Sequence, residues 1–567
     1  MKTIITALLV ILTLLSCEND KKISKSNKIV STEVNELLLD SIYETAMAYY
    51  DSKDYKKSAQ KFDYFFKENG NLIYNNGIYN AACTYALNNE NEKALKWLKY
   101  LVEEKYYSNL NHIKTDTDLT KLHKYLEWKS ILKKAKYNLE TEPERNREKI
   151  KSELFKAKKI LNEDNGKLWG ANLWNPNILV IDYDKSIYSL VKLPNSKTKD
   201  SVLFYTKFID NELSFTNTTQ DFKGKKYATV MINAISDSSA TLIHELFHLT
   251  HFAKNSNLRA NPIEYLDKLD ARLLLRLEYQ ALKNALSEAD NNTGTSTVTS
   301  YLKDALIFRK TRQEKYKAYI DEELELETVE GLANYTGIKL STIPNLYQCT
   351  INEINSREAA ETYTRPFPYP TGPAYGLLFD YLKINWRQGF DKVYNYLEIY
   401  EKQYLKDQIV LNVNELLEAK RRNNFRKINE EETNRKLEFD KLIMYYTNKL
   451  ITEPTLKAST INKDYSMSFN MNGTLILDDY GIVYSGIKGT DHSNKNFGDF
   501  HINEGNNKLG EGGVLKLKNT TQTTYIFSKP IKITGNKIYG DFYEIELNKG
   551  WKVVTLNEKG DMEIVKE

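Results

Sequence analysis

Three cysteines in 567 residues are too few for a disulfide framework. Cys17 closes an N-terminal apolar run. Cys83 and Cys349 lie far apart, with no histidine at metal-ligand spacing beside either. They read as two buried thiols, with a single Cys83–Cys349 bridge as the alternative. Net charge is also lacking, since 80 basic residues against 76 acidic ones leave +4. A nucleic-acid partner needs a concentrated basic surface, so this balance argues against one. After the N-terminus, no apolar stretch approaches the ~20 residues that a membrane-spanning helix requires. Histidine is scarce, seven in all, yet three fall within eight residues.

That segment is His244-Glu245-Leu246-Phe247-His248-Leu249-Thr250-His251. It contains the pattern His-Glu-x-x-His. On a helix, His244 and His248 leave one face a turn apart. Such a pair suits two adjacent positions of a tetrahedral Zn²⁺ site. Glu245 stands next to them, where it can take a proton from water. Ser236, Asp237 and Ser238 are candidates to cap the helix start. Leu242, Leu246, Leu249 and Ala253 form its apolar stripe. Tyr227 to Ile232 reads as a buried strand leading into it.

A catalytic zinc site needs a third protein ligand and an open position for water. His251 shares the histidine stripe, but one straight helix cannot easily wrap three ligands around one ion. A carboxylate on a second helix is the better choice, and Glu278 and Glu330 both qualify. Glu278 also reads as a salt-bridge partner of Arg272 or Arg276, or as a group behind the ligands. Glu325 and Glu327 belong to an acidic run that reads as a solvated face.

The stretch Val329-Glu330-Gly331-Leu332-Ala333-Asn334-Tyr335 resembles the third-ligand segment of the gluzincin metallopeptidases. Their aminopeptidase branch carries Asn-Glu-Gly there, with Val in place of Asn in this chain. The resemblance implies that Glu330 is the third ligand. It also implies that small Gly331 and Ala333 let this helix approach the first. Asn334, one turn on, would hydrogen-bond a ligating imidazole. The runs at 169–174, 270–278 and 369–376 look like those of bacterial secreted gluzincin-like proteins, over roughly residues 150–500. Two departures favour the metal site over aminopeptidase activity. The gap from His248 to Glu330 is longer than in the aminopeptidases, and their Gly-x-Met-Glu-Asn motif is absent.

A peptidase also needs a donor for the developing oxyanion. The segment Tyr363 to Tyr375, with four prolines and a glycine, reads as a rigid non-helical loop opening a helix at Leu377. Tyr369 and then Arg365 are its candidates. The expected substrate is a peptide or protein. The competing reading is a non-enzymatic binding lipoprotein with a structural or vestigial metal site.

The chain's length predicts several domains. Lys2 precedes the apolar run Ile4 to Leu15, and Leu14-Leu15-Ser16-Cys17 resembles the lipobox of bacterial lipoproteins. The resemblance implies a signal peptide over 1–16, lipids on Cys17, a tether over 17–32 and a membrane-anchored protein of the cell envelope. The expected side is the periplasmic or surface side of the outer membrane. From 33 to 140, Tyr50 and Tyr85, Ala59 and Ala94, and Phe62 and Trp97 recur 35 apart. This spacing resembles tetratricopeptide repeats, which cap an enzyme domain or hold a peptide partner. A mostly helical zincin-like domain with a small sheet is expected over 150–450. Short alternating strands such as Thr474 to Leu477, Val514 to Leu517 and Trp551 to Val554 predict a β-sandwich or barrel over 455–567. His492 and His501 read as surface residues in its loops. The fold class expected is multidomain α+β.

Overall fold

The computed structural model describes residues 42–567, apart from 70–74, 209–211, 255–257, 259, 361, 388, 391, 462–464, 470–472, 478, 503–508 and 519–521. The expected signal peptide, Cys17 and the tether lie outside the described residues. The chain divides into two units, Met1–Ser152 and Glu153–Glu567.

The first unit is helical: α1 (42–51), α2 (Tyr55–Asn69), α3 (Asn75–Leu87), α4 (Asn91–Glu104), α5 (Leu110–Thr115) and the start of α6 (Leu126–Asp164). Its core follows the recurring positions. Ala59 and Phe62 on α2 and Ala94 on α4 are buried, and Trp97 packs against the same cluster. Phe66 stacks on Trp97 with ring centroids 3.8 Å apart. The expected limits at 140 and 150 both fall inside α6, which contains Pro143 and runs through them. Its Lys-, Glu- and Leu-rich sequence sustains helix across both limits.

The second unit opens with a six-stranded sheet, ordered β3-β4-β2-β1-β6-β5. The strands are β1 (Ile178–Ile181), β2 (Ser186–Ser189), β3 (Lys197–Thr198), β4 (Phe204–Lys207), β5 (Thr218–Phe222) and β6 (Lys225–Met231). β1 and β6 are parallel, and the other neighbours are antiparallel. β1, reading Ile-Leu-Val-Ile, is buried throughout, as a central strand covered on both faces must be. β6 overlaps the expected strand, starting two residues earlier and ending one residue earlier. It passes through a short turn at Ile232–Ala234 into α7 (Ala240–Lys254).

Helices follow: α8 (Leu269–Asp290), α9 (Thr295–Lys315), α10 (Ile320–Leu326), a π-helical turn (Glu327–Gly331), α11 (Leu332–Leu340) and α12 (Leu346–Glu358). Then come α13 (Pro368–Tyr381), α14 (Tyr396–Tyr400), α15 (Val413–Arg422) and α16 (Phe425–Thr447).

The proline-rich loop expected through Tyr375 is instead largely helix, because α13 starts at Pro368. Pro368 and Pro370 occupy the first turn, where a backbone N–H has no helical acceptor to lose. Pro373 is interior and leaves the Tyr369 carbonyl without its usual donor. Asn334 Nδ2 donates to that carbonyl at 2.6 Å.

From Thr455 the chain is β, arranged among the described residues as sheets of seven and six strands. The two sheets share one apolar core, in which Leu456 and Phe527 meet Phe500 and Ile545. The strands Thr474–Leu477 and Val514–Leu517 coincide with those expected, and Trp551–Thr555 runs one residue longer. Tyr446 at the end of α16 and Leu450 in the π-helical turn after it (Asn448–Thr452) pack on the seven-stranded sheet through Leu475, Val483 and Leu515. No described helix is long and apolar enough to cross a membrane.

Candidate metal centre

Leu242, Ile243, Leu246 and Phe247 are buried and fix the rotation of α7. That rotation turns His244, Glu245 and His248 toward the turn carrying Glu330. Of the expected caps, Ser238 Oγ accepts from the Ala240 N–H at 3.4 Å. Ser239, which directly precedes the helix, donates its hydroxyl to buried Glu153 at 2.8 Å. The crossing of α7 with α11 is close at Gly337, where a Cβ would lie 2.7 Å from the Ala240 carbonyl oxygen. Close approach to the histidine helix therefore rests on Gly337. Gly331, expected to serve it, faces Gly372 of α13.

The Nε2 atoms of His244 and His248 lie 3.0 Å apart. Glu330 Oε2 is 3.7 Å from the first and 3.4 Å from the second. Donors about 2 Å from one tetrahedral ion sit roughly 3.3 Å from each other. The observed separations bracket that value, and a two-imidazole, one-carboxylate set suits a divalent cation. Burial alone would raise the Glu330 pKa, but hydrogen bonds and charge from the two histidines hold it far below the usual range. Burial alone would lower His248, and the Glu330 and Glu245 carboxylates more than reverse this. Three converging ligand atoms in a buried setting form a cradle that a cation can take over.

Glu245 is 4 % exposed, and its Oε2 has no hydrogen-bond partner. Burial raises its pKa, with Glu330 adding to the rise and the histidines opposing it. It stands beside the ligand set with an acceptor oxygen available. His248 Nδ1 is also without a partner, where a ligating imidazole usually has one. Asn334, expected to supply such a bond, is committed to the Tyr369 carbonyl.

Arg365 and Tyr369 both reach the site. Arg365 Nη2 lies 3.4 Å from Glu330 Oε1, and its Nη1 donates to the Ala260 carbonyl at 2.9 Å. Tyr369 sits in the first turn of α13, its ring parallel to His244 at 6.1 Å between centroids. Burial and the nearby Glu330 charge raise its phenol, so it remains a proton donor.

Glu278 is not among the converging ligands. It is fully buried, accepting from Arg309 Nε at 2.8 Å, from Tyr375 Oη at 2.8 Å and from Arg312. Its expected partners Arg272 and Arg276 instead bind Glu432. His251 is buried beside Phe247, Phe252 and Phe390. Neither of its ring nitrogens makes a hydrogen bond of normal geometry, although the Phe390 backbone lies beside it. Burial, with the His248 charge, pushes its pKa down to about 4. Glu327 is no solvated residue either: it is fully buried and accepts from both terminal nitrogens of Arg309, at 2.6 and 2.7 Å. The acidic run misled because its partner arginine comes earlier in the chain, on α9. In the β region, His492 is exposed and His501 lies on the strand Gly498–Ile502.

A second group, Cys83, Asp116 and Asp118, also converges among the described residues. Its donors are occupied. Tyr79 Oη donates to Asp116 Oδ2 at 2.9 Å and Tyr50 to Asp118. Burial and the adjacent carboxylates push the thiol pKa up, so sulfur stays protonated. Both thiols are free, Cys83 buried and Cys349 half-buried. No family model, curated protein or solved structure matches the chain.

Proposed function

We propose that the chain is a zinc-dependent hydrolase of peptide bonds, of the gluzincin-like kind, built between tetratricopeptide-like helical units and a C-terminal β domain. One observation carries the reading: His244, His248 and Glu330 converge, with Glu245 beside them holding an unpartnered, buried oxygen. A purely structural site has no use for such a base. Zinc fits the donor set, and when bound it would supply Lewis acidity toward a carbonyl oxygen and acidify a water.

The remaining work falls to side chains. Glu245 takes the proton of the attacking water and delivers it to the leaving amine. Its burial, by raising its pKa, favours the uptake step. Tyr369 and Arg365 offer hydrogen-bond donors at the rim, where negative charge develops on the attacked carbonyl. A lipid anchor on Cys17 would hold the enzyme at the cell envelope and present it to peptides or proteins there. The test is Glu245→Gln in a screen of peptide substrates. Zinc should be retained while kcat/KM falls about 10²- to 10⁴-fold, and unchanged hydrolysis would sink the assignment.

A further inference from the structure

Glu327 and Glu330 belong to one π-helical turn yet serve different neighbours. Glu327 is clamped by the guanidinium fork of Arg309 on α9 and by the hydroxyl of Thr371 on α13. Arg309 also binds Glu278 on α8, so the clamp ties the turn to three helices. Arg309, Glu278 and Glu327 are all fully buried. Glu330 points to the histidines of α7.

In a regular α-helix, residues three apart stand about 60° apart around the axis. A π turn, with its i→i+5 bond, opens that angle to roughly 115°. A regular helix would therefore swing Glu330 back toward the Arg309 side. In the wide turn Glu330 faces α7 while Glu327 stays in the buried fork. We propose that Arg309 and Glu327 are positioning residues for Glu330, locking the wide turn that aims this carboxylate at His244 and His248. The inference rests on the metal-site reading.

The test uses the full chain with Arg309→Lys, which keeps the charge but lacks the fork, and Glu327→Gln. Arg272→Lys is the control, because Arg272 is equally buried in ion pairs with Asp267 and Glu432, away from this turn. Zinc affinity is read by chelator competition, and site geometry by the visible absorption of bound Co²⁺. We expect both clamp variants to bind zinc about 10- to 100-fold more weakly and to shift the Co²⁺ bands. Arg272→Lys should lose thermal stability with neither effect. If the clamp variants do not fold, Thr371→Val decides, with a smaller band shift in the same sense expected and an unchanged spectrum overturning the inference. Folded clamp variants with wild-type affinity and spectrum also overturn it, as does an equal loss in Arg272→Lys. Those results leave the metal site standing when Glu330→Ala alone abolishes binding. A wild-type chain that binds neither ion overturns both.

Discussion

Gly331 and Gly372 cross backbone to backbone: a Cβ on Gly372 would lie 2.3 Å from the Gly331 carbonyl oxygen. No side-chain rotation relieves that contact, because both partners are main chain. Gly372→Ala must push α13 away from the turn that carries Glu330. Overpacking of this kind costs about 1–3 kcal/mol. The expected result is a lower unfolding midpoint together with weaker zinc binding. Gly331→Ala should do less, since its Cβ would meet Gly372 and Pro368 at 3.2 Å. Thermal melts and metal titration of the two variants check the order.

Glu330→Ala and Glu278→Ala should fail in different ways. The first removes an oxygen shared by two histidines and should abolish bound zinc while the chain stays folded. The second strips a carboxylate from Arg309 and Arg312, both fully buried. Glu327 and Glu323 still balance the two charges, but Arg309 Nε and Arg312 Nη1 lose their acceptor. Unsatisfied buried donors cost about 1–3 kcal/mol each, so denaturant midpoints should fall in that variant. Metal content by mass spectrometry and urea unfolding separate the two outcomes.

Asn334 and Pro373 should couple. Asn334→Ala leaves the Tyr369 carbonyl without a donor, at a cost of about 1–3 kcal/mol. Pro373→Ala restores the backbone N–H that reaches that same carbonyl. Asn334→Ala should therefore cost less in the Pro373→Ala background. A double-mutant cycle in urea measures the coupling, and strict additivity would contradict this account of the helix.

Glu358 predicts an acid-side loss of stability. Burial alone would raise its pKa, but Lys283 and Arg276 hold it below the ordinary carboxylate value. A carboxyl with a lowered folded pKa binds its proton more readily when unfolded. Its contribution is therefore complete above the ordinary carboxylate pKa and is lost as pH falls through the folded value. Glu358→Gln should be less stable at neutral pH and show a shallower fall below pH ~4.5. Urea midpoints against pH for both proteins test this.

Much of the architecture was legible in local pattern. Three strands of the C-terminal region and the strand before α7 follow from alternation and apolar runs, which depend on neighbours in sequence. The proline-rich start of α13 was not, because helix interruption by Pro373 is compensated by Asn334, a residue on another helix. Burial of Glu327 was equally hidden, since a charged residue reads as exposed until its partner is known.

The sequence by itself determined which residues α7 offers as candidate ligands and base. The spacing of His244 and His248 around Glu245 is a property of one helix. The resemblance favoured Glu330 over Glu278, and tertiary structure shows Glu330 to be the carboxylate facing those histidines. Both lie on apolar helices, and only packing reveals that Arg309 and Arg312 hold one while the π turn aims the other. The reason is physical: a helix's own repeat sets relations within about one turn, whereas the direction of a side chain toward another helix depends on how the two cross.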